Sequence, residues 1–372
     1  MRFAVACLLG IGLVGCNDGP APAPIVVGHV FDGTRTDKAG EHAKLAMTLA
    51  LHELDKNGLK DALGGRPLQI RHTDTRGVLD AFEAEGVRLV SVNRAVALFG
   101  GLEPKQAAAL DHAQAPLLTF DGLVVAGTGS QAFYFGMAPG RQGDVLARVV
   151  AEDAKIQRVV ILSDERQENA TALTDAFTRA VGDARGKDGT NRMSVLTLRF
   201  GKEVKWPDFL KPVAGLDPQA ILFAGSVQDF NAWRRSSRQD GFLQKRTLIY
   251  AGEDGAQASF DPEPTESVVL ATAFFADTEK AQAFVNSYRE NYGGEADVHA
   301  ALAYDGVRVL AEALKRAQPQ LTPDRVREEM LKTDKFEGLT GPLTVAPDHG
   351  VQRALFVMRW QAGALTLIKK LP

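Results

Sequence analysis

The chain has little cysteine. Two residues in 372, Cys7 and Cys16, both near the start, leave no pair to cross-link the body of the protein. That excludes a disulfide framework and a thiolate metal centre, so an ordinary apolar core must hold the fold. Aromatic residues are sparse at 7%, and the formal net charge is only −3. Without a basic excess or a long block of like charge, a polyanion partner such as nucleic acid is excluded. Beyond the N-terminus no apolar run approaches the roughly 20 residues that span a bilayer. The seven histidines are scattered, with no pair at the helical spacings usual for zinc ligands, so no metal or cofactor is expected. No G-x-x-x-x-G-K-[ST] phosphate loop occurs, and Gly127-Thr128-Gly129-Ser130 lacks the closing glycine of a nucleophile elbow. No catalytic residue is therefore assigned, and the chain is not expected to be an enzyme.

What is present begins with an address. Arg2 precedes an apolar stretch, Phe3 to Val14, which is the layout of a secretory signal. The run Leu13-Val14-Gly15-Cys16 resembles the bacterial lipoprotein box, which implies cleavage of residues 1–15 and lipid attachment at Cys16. Residues 16–24, rich in Pro and Ala, then read as a lipidated tether. The lipid would be the chain's only hold on the membrane.

Beyond the tether, β-branched runs alternate with helical patterns. Ile25 to Val30 reads as a strand, and Ala43, Ala46, Met47, Ala50, Leu51 and Leu54 recur at helical spacing. Strands follow at Pro67–His72, Ala95–Phe99 and Pro116–Phe120, with helices at Gly77–Val92 and Pro104–Ala113. The rhythm restarts at Arg158–Leu162. Asn169 is placed as the cap of the next helix. Ala220–Ala224, Thr247–Ala251 and Val268–Ala273 read as buried strands. Helices Glu279–Tyr292 and Val298–Ala317 come next, then a shorter one after Thr322, then two strands at Ala354–Trp360 and Ala364–Ile368. The pattern predicts α/β architecture with two tandem parallel-sheet units.

Three C-terminal motifs carry a family resemblance: Phe284-Val285-Asn286-Ser287-Tyr288-Arg289-Glu290-Asn291-Tyr292-Gly293, Ala301-Leu302-Ala303-Tyr304-Asp305-Gly306, and Phe336-Glu337-Gly338-Leu339-Thr340-Gly341-Pro342-Leu343-Thr344. The chain resembles the solute-binding proteins of branched-chain amino acid ABC transporters. That implies a type I periplasmic-binding-protein fold, with two doubly wound parallel-sheet lobes joined by a three-crossing hinge. The implied crossings lie near Gly136–Pro139, Thr272–Phe275 and Gly341–Leu343. Lobe 1 would hold residues 25–137 and 273–340, and lobe 2 residues 138–272 and 341–372. Tyr288 and Tyr304 are expected to pack helices.

Ligands of open parallel sheets bind outside the carboxyl ends of the strands. The loops expected there supply Asp32, Thr34, Leu102, Glu103, Thr119 and Asp121 from lobe 1. Lobe 2 supplies Arg166, Gln167, Ser226, Glu253 and Asp254, and Phe274 stands at the second crossing. The sequence departs from the amino-acid-binding pattern of the family. Leu102-Glu103-Pro104-Lys105 stands where relatives carry carboxylate-holding hydroxyls, and Asp121-Gly122 where Ala-Thr is frequent. Gln167 or Glu168 replaces a tyrosine. The family's ligand-holding acid matches Glu253 or Asp254. Acids outnumber the nearby bases Arg35, Lys105 and Arg166, which favours a solute with an amino group, while the planar fork of Arg166 could hold a carboxylate. The expected role is a monomeric, lipid-anchored receptor that hands a small polar solute to an ABC permease. The alternative is a lipoprotein of the same fold that senses a ligand or activates a partner.

Overall fold

The computed structural model describes residues 22–120, 122, 131–183, 193–237, 241–252, 254–255, 259–263 and 266–372. The signal segment, most of the tether with Cys16, and the candidate residues Asp121 and Glu253 lie outside them.

The first unit runs β1 (Ile25–Phe31), α1 (Ala39–Lys56), α2 (Leu59–Ala62), β2 (Leu68–Asp74), α3 (Leu79–Ser91), β3 (Leu98–Gly100), α4 (Pro104–Asp111), β4 (Leu117–Thr119) and β5 (Ala132–Tyr134). Its five strands form one parallel sheet in the order β2-β1-β3-β4-β5. Every residue of β1 is buried. This is why its apolar run is continuous and does not alternate: helices cover both faces of the sheet. The buried stripe of α1 holds Ala43, Ala46, Met47 and Ala50.

The second unit runs α5 (Pro139–Glu152), β6 (Arg158–Asp164), α6 (Glu168–Asp183), β7 (Ser194–Phe200), α7 (Trp206–Gly215), β8 (Ala220–Ala224), α8 (Val227–Ser237), β9 (Thr247–Tyr250) and β10 (Ser267–Thr272). The chain then forms α9 (Glu279–Tyr292), α10 (Val298–Ala317) and α11 (Pro323–Met330). It ends with β11 (Phe336–Gly338), β12 (Gly341–Val345), β13 (Val351–Gln352), β14 (Leu355–Gln361) and β15 (Ala364–Leu371). The second sheet has the order β15-β14-β10-β9-β8-β6-β7. It is parallel from β10 to β7, with β14 and β15 added antiparallel.

Two lobes result, and the chain passes between them more than once. After β10 closes into the second sheet, α10 returns to pack along α1 of the first unit. Thr278 caps α9 by accepting from Ala281 N, and Asp297 caps α10 by accepting from Ala300 N at 2.8 Å. Tyr288 lies buried against Phe284 and Tyr292, and the Tyr304 hydroxyl donates to Glu53 of α1 at 2.5 Å, so both tyrosines pack helices. Strands β11, β12 and β13 form a small antiparallel sheet. The turn before β13 touches β5, where Gly350 bridges Tyr134, and the chain rejoins the large sheet at Leu355. Lys370 of β15 ties two connecting segments together, donating to Asp277 at 2.7 Å and to the Thr340 carbonyl at 3.0 Å. One buried apolar cluster holds Val27 and Phe99 of the first lobe with Leu146, Phe177 and Ile249 of the second. Each such side chain contributes about 1.5–3 kcal/mol through burial, so the same buried core joins the two lobes.

Two details differ from the sequence reading. Helix α6 begins at Glu168, so Asn169 sits in its first turn. Strands β5 and β7 carried no clear signal. β5 has only three residues, and β7 is a sheet edge whose side chains are mostly not buried.

Candidate functional site

The carboxyl ends of β1, β3 and β4 face those of β6, β8 and β9 across a cavity of about 910 Å³. Its walls come from both lobes. Lobe-1 residues include Arg35, Asp37, His42, Leu102 and Glu103, with Asp297 at the cap of α10 and His299 in its first turn. The second unit contributes Gln142, Gln167, Asn169, Gly225, Gly252 and Asp254. Two of these loops come very close. A Cβ on Gly252 would sit 2.2 Å from the Gly225 carbonyl, so only glycine fits there and bare backbone lines that part of the wall.

Several charges on the lobe-1 wall are held by one another, whereas Lys38 has no ion pair among the described residues and Glu295 pairs with Arg289 outside the wall. Arg35 forks onto Asp37 at 2.6 Å and reaches Glu103 at 3.0 Å. Burial works against the charge on Asp37, yet the Arg35 fork and the Ala39 N–H outweigh it and hold its carboxyl below the ordinary value. Beside it, His42 Nδ1 lies 2.8 Å from Asp297 Oδ2, and His299 Nδ1 lies 3.7 Å from the same oxygen. Burial opposes the charge on Asp297, but both imidazoles and the Ala300 N–H bring its carboxyl well below the carboxylate range. The hydrogen bond to Asp297 raises His42. Burial lowers His299, but Asp297, Asp254 and Asp37 overcome that and raise it.

Asp254 is different. It lines the cavity from the second lobe, and its Oδ2 accepts from Ala273 N at 2.9 Å. Its Oδ1 is buried and has no hydrogen-bond partner among the described residues. Burial is the largest influence and pushes the carboxyl above its ordinary value, despite the Thr272 hydroxyl and the Ala273 N–H. A buried carboxyl with one oxygen left without a partner calls for a cationic or hydrogen-bonding one.

The structure brings some candidates together and not others. Leu102, Glu103, Gln167 and Asp254 line the cavity. Asp32 spends its carboxylate on its own turn, accepting from Thr34 N at 2.8 Å and from the Thr34 hydroxyl at 2.6 Å. Thr119 is buried and donates to the Gly101 carbonyl at 2.7 Å. Arg166 binds Asp164 at 2.7 Å and Asp229 at 2.5 Å, so its guanidinium is neutralised within its own lobe. Ser226 donates to Asp229 at the start of α8, and Phe274 packs edge-on against Phe284. None of these six is among the lining residues. Sequence reasoning missed His42, Asp297 and His299. The motif Asp297-Val298-His299 had a readable helix cap, but its position at the cleft comes from α10 packing on a distant α1.

A family model described as periplasmic binding protein matches residues 24–364. The chain belongs to that family. No curated protein matches the sequence. Several solved periplasmic binding structures share the fold. The leucine-binding protein LivK of Thermotoga maritima superposes with a TM-score of 0.78 at 20% identity, covering 93% of this chain and 98% of that one. LivJ of Streptococcus pneumoniae, in complex with isoleucine, gives 0.73 at 20% identity over 93% and 98%. A solute-binding protein from R. palustris, in complex with benzoate, gives 0.72 at 16% identity over 93% and 96%. For a periplasmic binding protein the cavity between lobes is where a solute would sit. Among the described residues no helix is long and apolar enough to cross a membrane.

Proposed function

We propose that the protein is an extracytoplasmic, lipid-anchored receptor that closes around an amino-acid-like or amine solute and delivers it to an ABC permease. It performs no chemistry on the solute. The working division is residues 25–137 with 273–340 for one lobe, and 138–272 with 341–372 for the other. The observation that carries the ligand class is the half-satisfied carboxylate of Asp254 in the cavity wall. An ammonium group supplies the missing partner. An aromatic carboxylate, as in the benzoate-bound relative, would add an anion to a wall where the five acids Asp37, Glu103, Asp254, Glu295 and Asp297 already outnumber the cations Arg35 and Lys38. The cavity has room for such a solute, being near the upper end of the roughly 300–1,000 Å³ range of small-molecule sites.

A thermal-shift screen tests this reading. Ligand at about 100 times its dissociation constant stabilises the folded state by roughly 2.7 kcal/mol. Amines or amino acids should raise the midpoint, and sugars, inorganic anions and benzoates should not. A rise with only sugars or anions refutes the ligand class. No rise with any solute favours a partner-binding lipoprotein over a transport receptor.

A further inference from the structure

The chain enters the first sheet at the edge opposite the cleft. Arg66 Nε donates to the Ala23 carbonyl at 2.9 Å and its Nη2 to the Pro24 carbonyl at 3.4 Å, while Ile25 N donates to the Pro67 carbonyl at 2.9 Å. The segment before β1 is thus pinned beside the loop that leads into β2. The cavity lies at the other end of the same strands. Helix α1 runs from one edge to the other, roughly 20 Å from His42 in the cavity wall to Lys56 in its last turn.

The two edges differ in charge. The pinned edge carries Lys56, Lys60, Arg66 and Arg94 against Asp55 and Asp61. Arg94 belongs there because it leads into β3, where Val96 N donates to the Val26 carbonyl of β1 at 2.9 Å. All six but Arg66 are exposed, and none has an ion pair among the described residues. Farther along, Glu85 and Arg88 neutralise each other at 2.6 Å. At the cleft the balance reverses, with five acids in the cavity wall against Arg35, Lys38 and two imidazoles.

We propose that the pinned edge of the first lobe is a docking surface for an anionic phospholipid membrane, and that it turns the cleft of the anchored protein away from that membrane. This rests on the reading of Cys16 as the lipid anchor. Residues 16–21 separate the anchor from Pro22, and even fully extended they reach only about 20 Å. The edge therefore stays close to the headgroups. Within a Debye length of about 8–10 Å its cations are drawn to anionic lipid, and the acidic cleft is repelled. The charge excess is small, so the surface orients a chain that is already anchored and does not recruit a free one.

Lysine acetylation read by mass spectrometry reports the orientation. The chain from Cys16 onward is coupled through the Cys16 thiol to a maleimide phospholipid, which fixes the anchor whether or not cells lipidate it. The Cys16→Ser labelling experiment tests native lipidation separately. The coupled protein is compared on vesicles of phosphatidylcholine alone and of phosphatidylcholine mixed with phosphatidylglycerol. On the anionic vesicles at low salt, Lys56 and Lys60 should react several-fold more slowly than on the neutral ones. Lys38 and Lys105, at the cleft end of lobe 1, should react equally on both. The protection should fade at about 0.5 M salt, where screening shortens the reach of the headgroup charge, and Arg94→Glu should weaken it. Equal rates at Lys56 and Lys60 on the two vesicles, protection of Lys38 and Lys105 instead, or protection that survives both high salt and Arg94→Glu overturns the docking surface.

Discussion

Replacing Asp254 with asparagine should weaken ligand binding and at the same time stabilise the empty protein. The two effects come from the same atom. The amide keeps an acceptor for the Ala273 N–H, which now binds Oδ2 at 2.9 Å. It removes the charge from Oδ1, which is buried without a partner among the described residues. A hydrogen bond to a charged group contributes about 1.5–3 kcal/mol, so an ammonium ligand should bind about 10- to 150-fold more weakly. The sign for the empty protein follows from the raised carboxyl. The folded state binds this proton more tightly than the unfolded state does. The group therefore costs nothing at low pH. The cost grows as pH rises from the unfolded value of about 3.9 to the folded value and is complete above it. Asparagine removes it, so the empty variant should melt higher than wild type at pH 8. Differential scanning calorimetry without ligand and titration calorimetry with the amine found by the screen measure the two sides. A variant that binds as tightly as wild type, or that melts lower when empty at pH 8, refutes the reasoning.

Glu266→Gln should cost about 3–5 kcal/mol in urea unfolding, because it strips the partner from Arg234. The pair is 2.6 Å apart with both side chains fully buried, and the guanidinium is sealed under Phe230 and Trp360. A loss below about 1 kcal/mol contradicts this account. His42→Gln should destabilise the protein at about pH 6 and not at about pH 9. The raised imidazole contributes stability that is full below its unfolded value of about 6.5 and lost as pH rises through its folded value. Equal melting shifts at both pH values would show that the Asp297 contact does not depend on charge. Cys16→Ser should abolish incorporation of labelled lipid, and unchanged incorporation removes the anchor from the proposal.

Much of the fold was legible because its strands are buried on both faces. β8 is wholly Ala, Ile, Leu and Phe, and β1 and β6 carry the runs Ile25-Val26-Val27 and Val159-Val160-Ile161-Leu162, as burial of both sheet faces favours. Helices α9 and α10 begin at Thr278 and Asp297, whose side chains cap them, so their starts were readable to the residue. β7 alternates at an edge and β5 is three residues long, so neither produced a continuous run. The site was less legible. Position after a strand placed Asp32, Arg166 and Ser226 near the cleft, but it could not show that each is already engaged by a neighbour in its own loop or lobe. Histidines 42 and 299 are separated from each other by most of the chain. They meet at Asp297 only because α10 returns across α1.

The placement of compensated and uncompensated charge bears on which solute the cleft accepts. Arg35 in the cavity wall and Arg166 behind it are each locked to two acids of their own lobe, while Lys38, also in the wall, is exposed and has no ion pair among the described residues. Neither arginine is free to meet a ligand carboxylate without abandoning a short ion pair, and removing one partner from such a pair leaves a charge behind; only Lys38 could do so without that cost. These pairs hold the walls in place before a ligand arrives, which lowers the ordering cost of binding. Asp254 is the exception, with one oxygen satisfied and the other facing the need for a partner. A sugar hydroxyl could donate to it but would leave its charge uncompensated. An ammonium donates and also neutralises, and that attraction is stronger beside a buried carboxyl than in bulk water.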